Sequence, residues 1–188
     1  MKNTFIDCGS HFGEGLKHFI NHYHITKDWD VMCFEPNEDS FIKLRKNIPE
    51  TENIKLYKKA VWIKDGTISF NKERWIEDGW NSTGPGSSIF NQNEWKTQPM
   101  VQTILTEVEC IDFSNLIDKL DGNIYVKMDI EGSEYEILRT LIKNKNISKI
   151  KEMHVEFHYK VFDRETFDST RDLIKQVRDN NVKILEWF

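Results

Sequence analysis

Charges inside an apolar strand are costly unless they are paired, hydrogen-bonded or used. The stretch IYVKMDIEGSEYEIL, residues 124–138, places Lys127, Asp129 and Glu131 in that position. A second run, MHVEFH, residues 153–158, alternates His154, Glu156 and His158 with Met153, Val155 and Phe157. Alternate residues of a strand share a face, so Tyr125, Lys127 and Asp129 point one way, and the three polar residues of the second run point together. If the two strands are neighbours, Lys127 meets Glu156 in an ion pair. Carboxylates and imidazoles gathered at strand ends suit removal of a proton from a hydroxyl. The candidate bases are Glu131, Glu156 and His158, with Asp129 anchoring an ammonium or the hydroxyl itself, whereas His154 reads as a core histidine. The same side chains are ligand types for a divalent ion, but no ligand spacing among them supports one, and no metal is expected.

A different chemistry is written in FIDCGSHFGEG, residues 5–15, which puts Asp7, Gly9, Gly13 and Gly15 where an apolar strand turns into a helix. In an open α/β sheet the crevice at the carboxyl ends of the strands is where ligands bind. Glycines there let the backbone approach a ligand, and the N–H groups of a helix start suit a carboxylate or phosphate. The spacing is D-x-G-x-x-x-G rather than G-x-G-x-x-G, which counts against a dinucleotide pyrophosphate and favours a nucleoside without phosphates. Glu35 ends the next apolar run, VMCFEP, 20 residues beyond Gly15. An acid in that place accepts hydrogen bonds from the ribose hydroxyls in such folds. Together these residues point to an adenosyl ligand.

Positioning both groups requires short strands alternating with helices, the pattern of a mostly parallel sheet covered on both faces and hence of the α/β class. TFIDCG reads as the first strand, and Leu16, Phe19, Ile20 and Tyr23 give the following helix an apolar stripe. VMCFEP is the second strand, followed by a helix carrying Phe41, Leu44 and Ile48. The third strand is expected over IKLYKKAVW, residues 54–62. KDGTISF then reads as a turn and strand, and VQTILTEVEC as a strand returning after a long polar excursion. Asp112 is placed to cap a helix. GNIYVKMD and ISKIKEMHVEFH are the fourth and fifth strands of the core pattern, each followed by a helix, and NVKILEWF is a closing strand. One domain over 1–188 with an insertion at about 64–110 is expected from this order and from the length.

The blocks FIDCGSHFGEG, FEPN and VKMDIEGSEYEIL resemble the three motif blocks of the FkbM-like methyltransferases, a branch of the class I S-adenosylmethionine enzymes. The resemblance implies a Rossmann-like sheet, S-adenosylmethionine as methyl donor, and methylation of a hydroxyl on a sugar, a glycan precursor or another small molecule. It places Asp7, Gly9, Ser10, His11 and Gly13 along the methionine portion and Glu35 on the ribose. Pro36 and Asn37 flank the adenine, as does the backbone at Ala60 and Val61. His11 departs from the pattern, which usually has Asn there. A second departure is brevity at both ends of the sheet, which leaves the outer wall thin or completed by a second subunit, as in a homo-oligomer.

The excursion RWIEDGWNSTGPGSSIFNQNEW, residues 74–95, holds Trp75, Trp80 and Trp95 around a Gly/Ser/Pro-rich centre. A loop of this length in a compact domain is often a lid or binding loop. Trp80, Ser87 and Ser88 are accordingly candidate contacts to the acceptor. The 26 basic and 31 acidic residues give a net charge of −5, so no general basic field draws nucleic acid. No apolar run approaches the roughly 20 residues of a membrane span. The opening MKNTFIDCGS lacks a signal-peptide pattern, and three scattered cysteines read as reduced thiols, so a cytoplasmic location is expected. Alternatives to an O-methyltransferase are a non-catalytic nucleoside-binding module and, with less support, a nucleic-acid methyltransferase.

Overall fold

Six short apolar runs lie side by side as parallel strands. The computed structural model describes residues 2–77, 80–83, 86–90, 102–161 and 164–187, with side chains within 2–73, 86–90, 103–161 and 164–187. In chain order the elements are β1 (Asn3–Cys8), α1 (Glu14–His22), β2 (Trp29–Phe34), α2 (Glu38–Asn47), β3 (Ile54–Tyr57), β4 (Ala60–Trp62), β5 (Gly66–Glu77) and β6 (Trp80–Thr83). They continue with β7 (Gln102–Asp112), α3 (Phe113–Lys119), β8 (Asn123–Met128), α4 (Glu134–Lys143), β9 (Ile150–Val155), α5 (Phe167–Asp179) and β10 (Lys183–Glu186). The main sheet runs β10-β9-β8-β1-β2-β3, and all its pairings are parallel. Numbered within that sheet the order is 3-2-1-4-5-6, the doubly wound arrangement whose switch point lies between β1 and β8.

Strands buried on both faces must be apolar on both, and β1 and β8 satisfy this by dividing their side chains. Phe5, Val31, Cys33 and Tyr125 pack against Leu16, Phe19 and Leu44 of α1 and α2. Ile6, Cys8, Val126, Met128, Met153 and Val155 pack against Phe113, Ile117, Leu138, Leu141, Leu173 and Val177 of α3, α4 and α5. Helix starts follow their caps: Asn37 accepts the Asp39 N–H before α2, and Asp112 accepts the Asn115 N–H before α3. Among the described residues no helix is long and apolar enough to cross a membrane.

The run 54–62, expected as one strand, breaks after Tyr57. The Tyr57 carbonyl accepts the Glu35 N–H, while Lys58 and Lys59 turn outward to Glu38 and Glu109. The chain then leaves the main sheet, and β4 pairs in parallel with β7, Ala60 opposite Cys110. A second sheet, β4-β7-β5-β6, follows. In it β5 and β7 are antiparallel from Gly66/Cys110 to Arg74/Gln102, and β6 folds back on β5. Within the polar excursion, residues 74–77 and 80–83 are therefore paired strands of a hairpin rather than loop. The side chains of Trp75 and Trp80, and the whole of Trp95, lie outside the described residues.

Candidate functional site

The turn after β1 is bent by two glycines that no other residue replaces without strain. Gly9 has φ +78°, and a Cβ there would stand 1.8 Å from the Asp129 carbonyl oxygen, because the end of β8 is tied to β1 by the Asp129 N–H donating to the Cys8 carbonyl. Gly13, at φ +92°, caps α1 against Ile48 and Leu44. His11 lies between them at φ 46°. That left-handed conformation favours Asn and also admits His, which explains how His11 keeps the loop's shape. Its N–H donates to Glu35 Oε2 at 2.8 Å, and the Asn37 N–H donates to Glu35 Oε1 at 2.8 Å. Burial pushes the Glu35 carboxyl up to about 7 against the pull of these two N–H groups.

Lys127 does not pair with Glu156 as its strand position suggested. β8 has two neighbours, and its register with β1 sets Lys127 beside Asp7, whereas on β9 it faces His154 and Glu156 lies beyond the strand end. The Lys127 ammonium donates to the Gly9 carbonyl at 2.7 Å and lies 3.3 Å from Asp129 Oδ2 and 3.5 Å from Asp7 Oδ1. Burial opposes its charge, but Asp7 and Asp129 hold its pKa above the ordinary lysine value. Burial raises the Asp7 carboxyl, partly offset by Lys127. A buried lysine thus ties the glycine turn to the end of β8.

Past β8, four carboxylates converge on His158. Its Nδ1 lies 2.9 Å from Glu134 Oε1, which also accepts the His158 backbone N–H, while the other Glu134 oxygen accepts the Gly132 N–H. Nε2 faces Glu131 at 3.3 Å, Glu156 at 3.8 Å and Asp129 at 4.0 Å. Burial works against the imidazolium, yet Glu134, then Glu131 and Asp129, push His158 up to about 10. The histidine is therefore the cation of the cluster. Burial pushes Glu131 up to about 8 despite His158 beside it, and burial with Asp129 also raises Glu156. Asp129, Glu156 and His158 each offer an atom within 4.8 Å of the others, and His158 engages Glu134 through Nδ1 and Glu131 through Nε2. Glu131 has φ 52°, and its carbonyl accepts the Ser88 hydroxyl at 2.6 Å.

Many of these groups line one cleft of about 280 Å³, at the lower end of small-ligand sites. Gly9, His11, Glu35, Pro36, Asn37, Ala60, Val61, Ser87, Asp129, Glu131 and Glu156 all line it. Asp7, Ser10, Gly13, Lys127, Ser88 and His158 do not. They stand behind its walls: the Ser10 hydroxyl donates to the Asp7 carbonyl, Lys127 and His158 hold the lining carboxylates, and Ser88 docks the second sheet on the main one. Ser87 joins that docking, its hydroxyl accepting from Asn37 Nδ2 and the Glu73 N–H.

Sequence reasoning passed over Glu134, which is fully buried. An acid in the first turn of a helix reads as a complement to the helix dipole, and only the fold reveals its hold on His158. It also missed Phe34, Phe70, Ile89 and Ile130, which join Pro36, Ala60 and Val61 in the apolar part of the lining, and the polar Ser40 and Ser133.

No curated protein and no solved structure matches the chain. A family model described as the Methyltransferase FkbM domain matches residues 7–181, from the aspartate before the glycine turn to the start of the last strand's approach. The match runs through the turn, Glu35 and the acidic cluster, and the chain therefore belongs to the FkbM methyltransferase domain family.

Proposed function

We propose that this methyltransferase uses S-adenosylmethionine and methylates a hydroxyl of a sugar, glycan precursor or other small molecule. The observation that carries the reading is the meeting, in one cleft, of a buried carboxylate set for a ribose and, backed by His158 behind the wall, the carboxylates Asp129, Glu131 and Glu156 set for a hydroxyl. The residues present fit the donor. Glu35 uses one N–H bond on each oxygen, which leaves acceptor capacity on both for the ribose hydroxyls. Ser40 Oγ and His11 Nε2, on residues that line the cleft, are buried without a hydrogen-bond partner among the described residues, as polar groups awaiting a ligand would be.

S-adenosylmethionine, when bound, supplies a methyl group carried on a sulfonium. Pro36, Asn37, Ala60 and Val61, with Phe34 and Phe70, would wall the adenine, and Gly9 and His11 the methionine portion. Asp129, fixed by Lys127, would hold the donor's ammonium or the acceptor hydroxyl. We assign the base to Glu131: a carboxyl raised to about 8 matches its proton affinity to neutral working conditions better than an ordinary one. His158 stays protonated and, positioned by Glu134, balances the carboxylates. Phe34, Phe70 and Ile130 exclude water from a reaction in which opposite charges are neutralised. Ser87, in the segment that follows β6, borders the acceptor side.

The test is transfer of a radiolabelled methyl group from S-adenosylmethionine to a panel of monosaccharides, oligosaccharides and simple alcohols. Label appearing as an alkali-stable methyl ether supports the reading. Uptake of donor without transfer to any acceptor would contradict it.

A further inference from the structure

At the far end of α1 from the glycine turn, two histidines and a glutamate come together outside the cleft. Glu152 and His154 are two apart on β9 and share the face that packs under α1, where the His154 ring meets Phe19 at 4.8 Å and His22 at 5.6 Å. His22 is exposed in the last turn of α1. Each of the three offers an atom within 4.8 Å of the others. His154 Nε2 and Glu152 Oε1 are 3.1 Å apart, close to the roughly 3.4 Å edge of a tetrahedron with 2.1 Å metal–ligand bonds.

We propose that His22, Glu152 and His154 form a site for a divalent ion of the zinc class. Two imidazoles and a carboxylate, leaving one position for water, suit that ion better than magnesium or calcium, which prefer all-oxygen ligands. The surroundings support it in three ways. Tyr23 donates to Glu152 Oε1 at 2.9 Å and Lys183 to Oε2 at 3.0 Å, the outer hydrogen bonds that orient a ligating carboxylate. The ion would lie at the C-terminal end of α1, where the helix dipole favours positive charge. His18 stands four residues before His22 on the same helix face, its ring 5.8 Å from that of His22, an i,i+4 histidine pair that the sequence displays openly. Exposure of His22 leaves it free to change rotamer and close the remaining distance. A bound ion would pin α1, whose other end begins at the turn of the cleft, to β9. The site is independent of the methyl-transfer reading.

The test uses the full chain, freed of metal by a chelator and then dialysed, with Zn2+ followed by calorimetry and Co2+ by visible absorption. One equivalent is expected to bind, with the intense bands of tetrahedral Co2+. Because His22 is exposed, His22→Ala should fold as the parent does, checked by near-ultraviolet circular dichroism, and should weaken Zn2+ binding at least about 100-fold, the upper range for loss of an outer partner. Tyr23→Phe should weaken it about 10-fold or more. Absence of saturable binding overturns the proposal. So does binding that survives His22→Ala, above all if Glu156→Gln abolishes it, which would put the ion at the acidic cluster.

Discussion

Glu35 and Glu131 are both buried carboxyls with raised proton affinity, but their surroundings give them different work. Glu35 holds two backbone N–H groups and titrates near 7. Ribose hydroxyls bond more strongly to its ionised form, so donor binding near neutral pH should expel a proton, and affinity should fall as pH drops below about 7. Calorimetry in two buffers of different ionisation enthalpy checks this; equal heats would argue against it. Glu131, raised to about 8 beside His158, should act as base only when deprotonated. The logarithm of the rate should rise with pH and level off above about 8, and Glu131→Gln should lower kcat by roughly 10²- to 10⁴-fold while leaving donor affinity intact. If that variant keeps full turnover, Glu156 becomes the better assignment.

At the level of elements, the cleft depends on how strand ends are joined. Gly9 touches the carbonyl of Asp129 so closely that Gly9→Ala must push β1 and β8 apart or force a left-handed alanine. A loss of at least about 2 kcal/mol is expected, measured by urea unfolding, and an unchanged midpoint would show that the turn relaxes freely. Ser88→Ala removes the hydroxyl that ties the second sheet to the Glu131 carbonyl. It should cost roughly 1 kcal/mol of stability and affect acceptor KM more than donor affinity. The turn and Glu35 were legible in the sequence because glycine at left-handed φ and an acid at a strand end are local signatures. The partner of Lys127 was not, since a central strand has two neighbours and the pattern of residues does not say which one supplies the charge. Nor was the break at Lys58–Lys59, where two strands of different sheets read as one apolar run, or the hairpin within the excursion, whose Gly/Ser/Pro content resembles a loop.

Across the described residues several buried groups bind protons more tightly folded than unfolded, Asp7, Lys127 and Glu156 among them, and Glu35, Glu131 and His158 are the three that set the slope around neutral pH. Glu35 and Glu131, near 7 and 8, stand above the ordinary 4.5, so stability falls as pH rises from about 4.5 through those values. His158, near 10 against 6.5, contributes fully below 6.5 and loses its contribution as pH climbs toward 10. All three slopes have the same sign. Glu152 is lowered instead, with Lys183, Tyr23 and His154 outweighing burial, so its contribution is lost toward acid. Stability should therefore decline from about pH 5 upward, with the urea midpoint clearly lower at pH 8.5 and the lower part of that decline flattened in Glu35→Gln. A midpoint that rises toward pH 8.5 would contradict the burial of these groups. The most direct measurement is calorimetric titration of the chain at pH 8 with S-adenosylmethionine and with its demethylated product. One saturable site for each is predicted, weakened at least about tenfold, or 1.4 kcal/mol, by Glu35→Gln. No heat with either compound, or equal affinity in the variant, would contradict it.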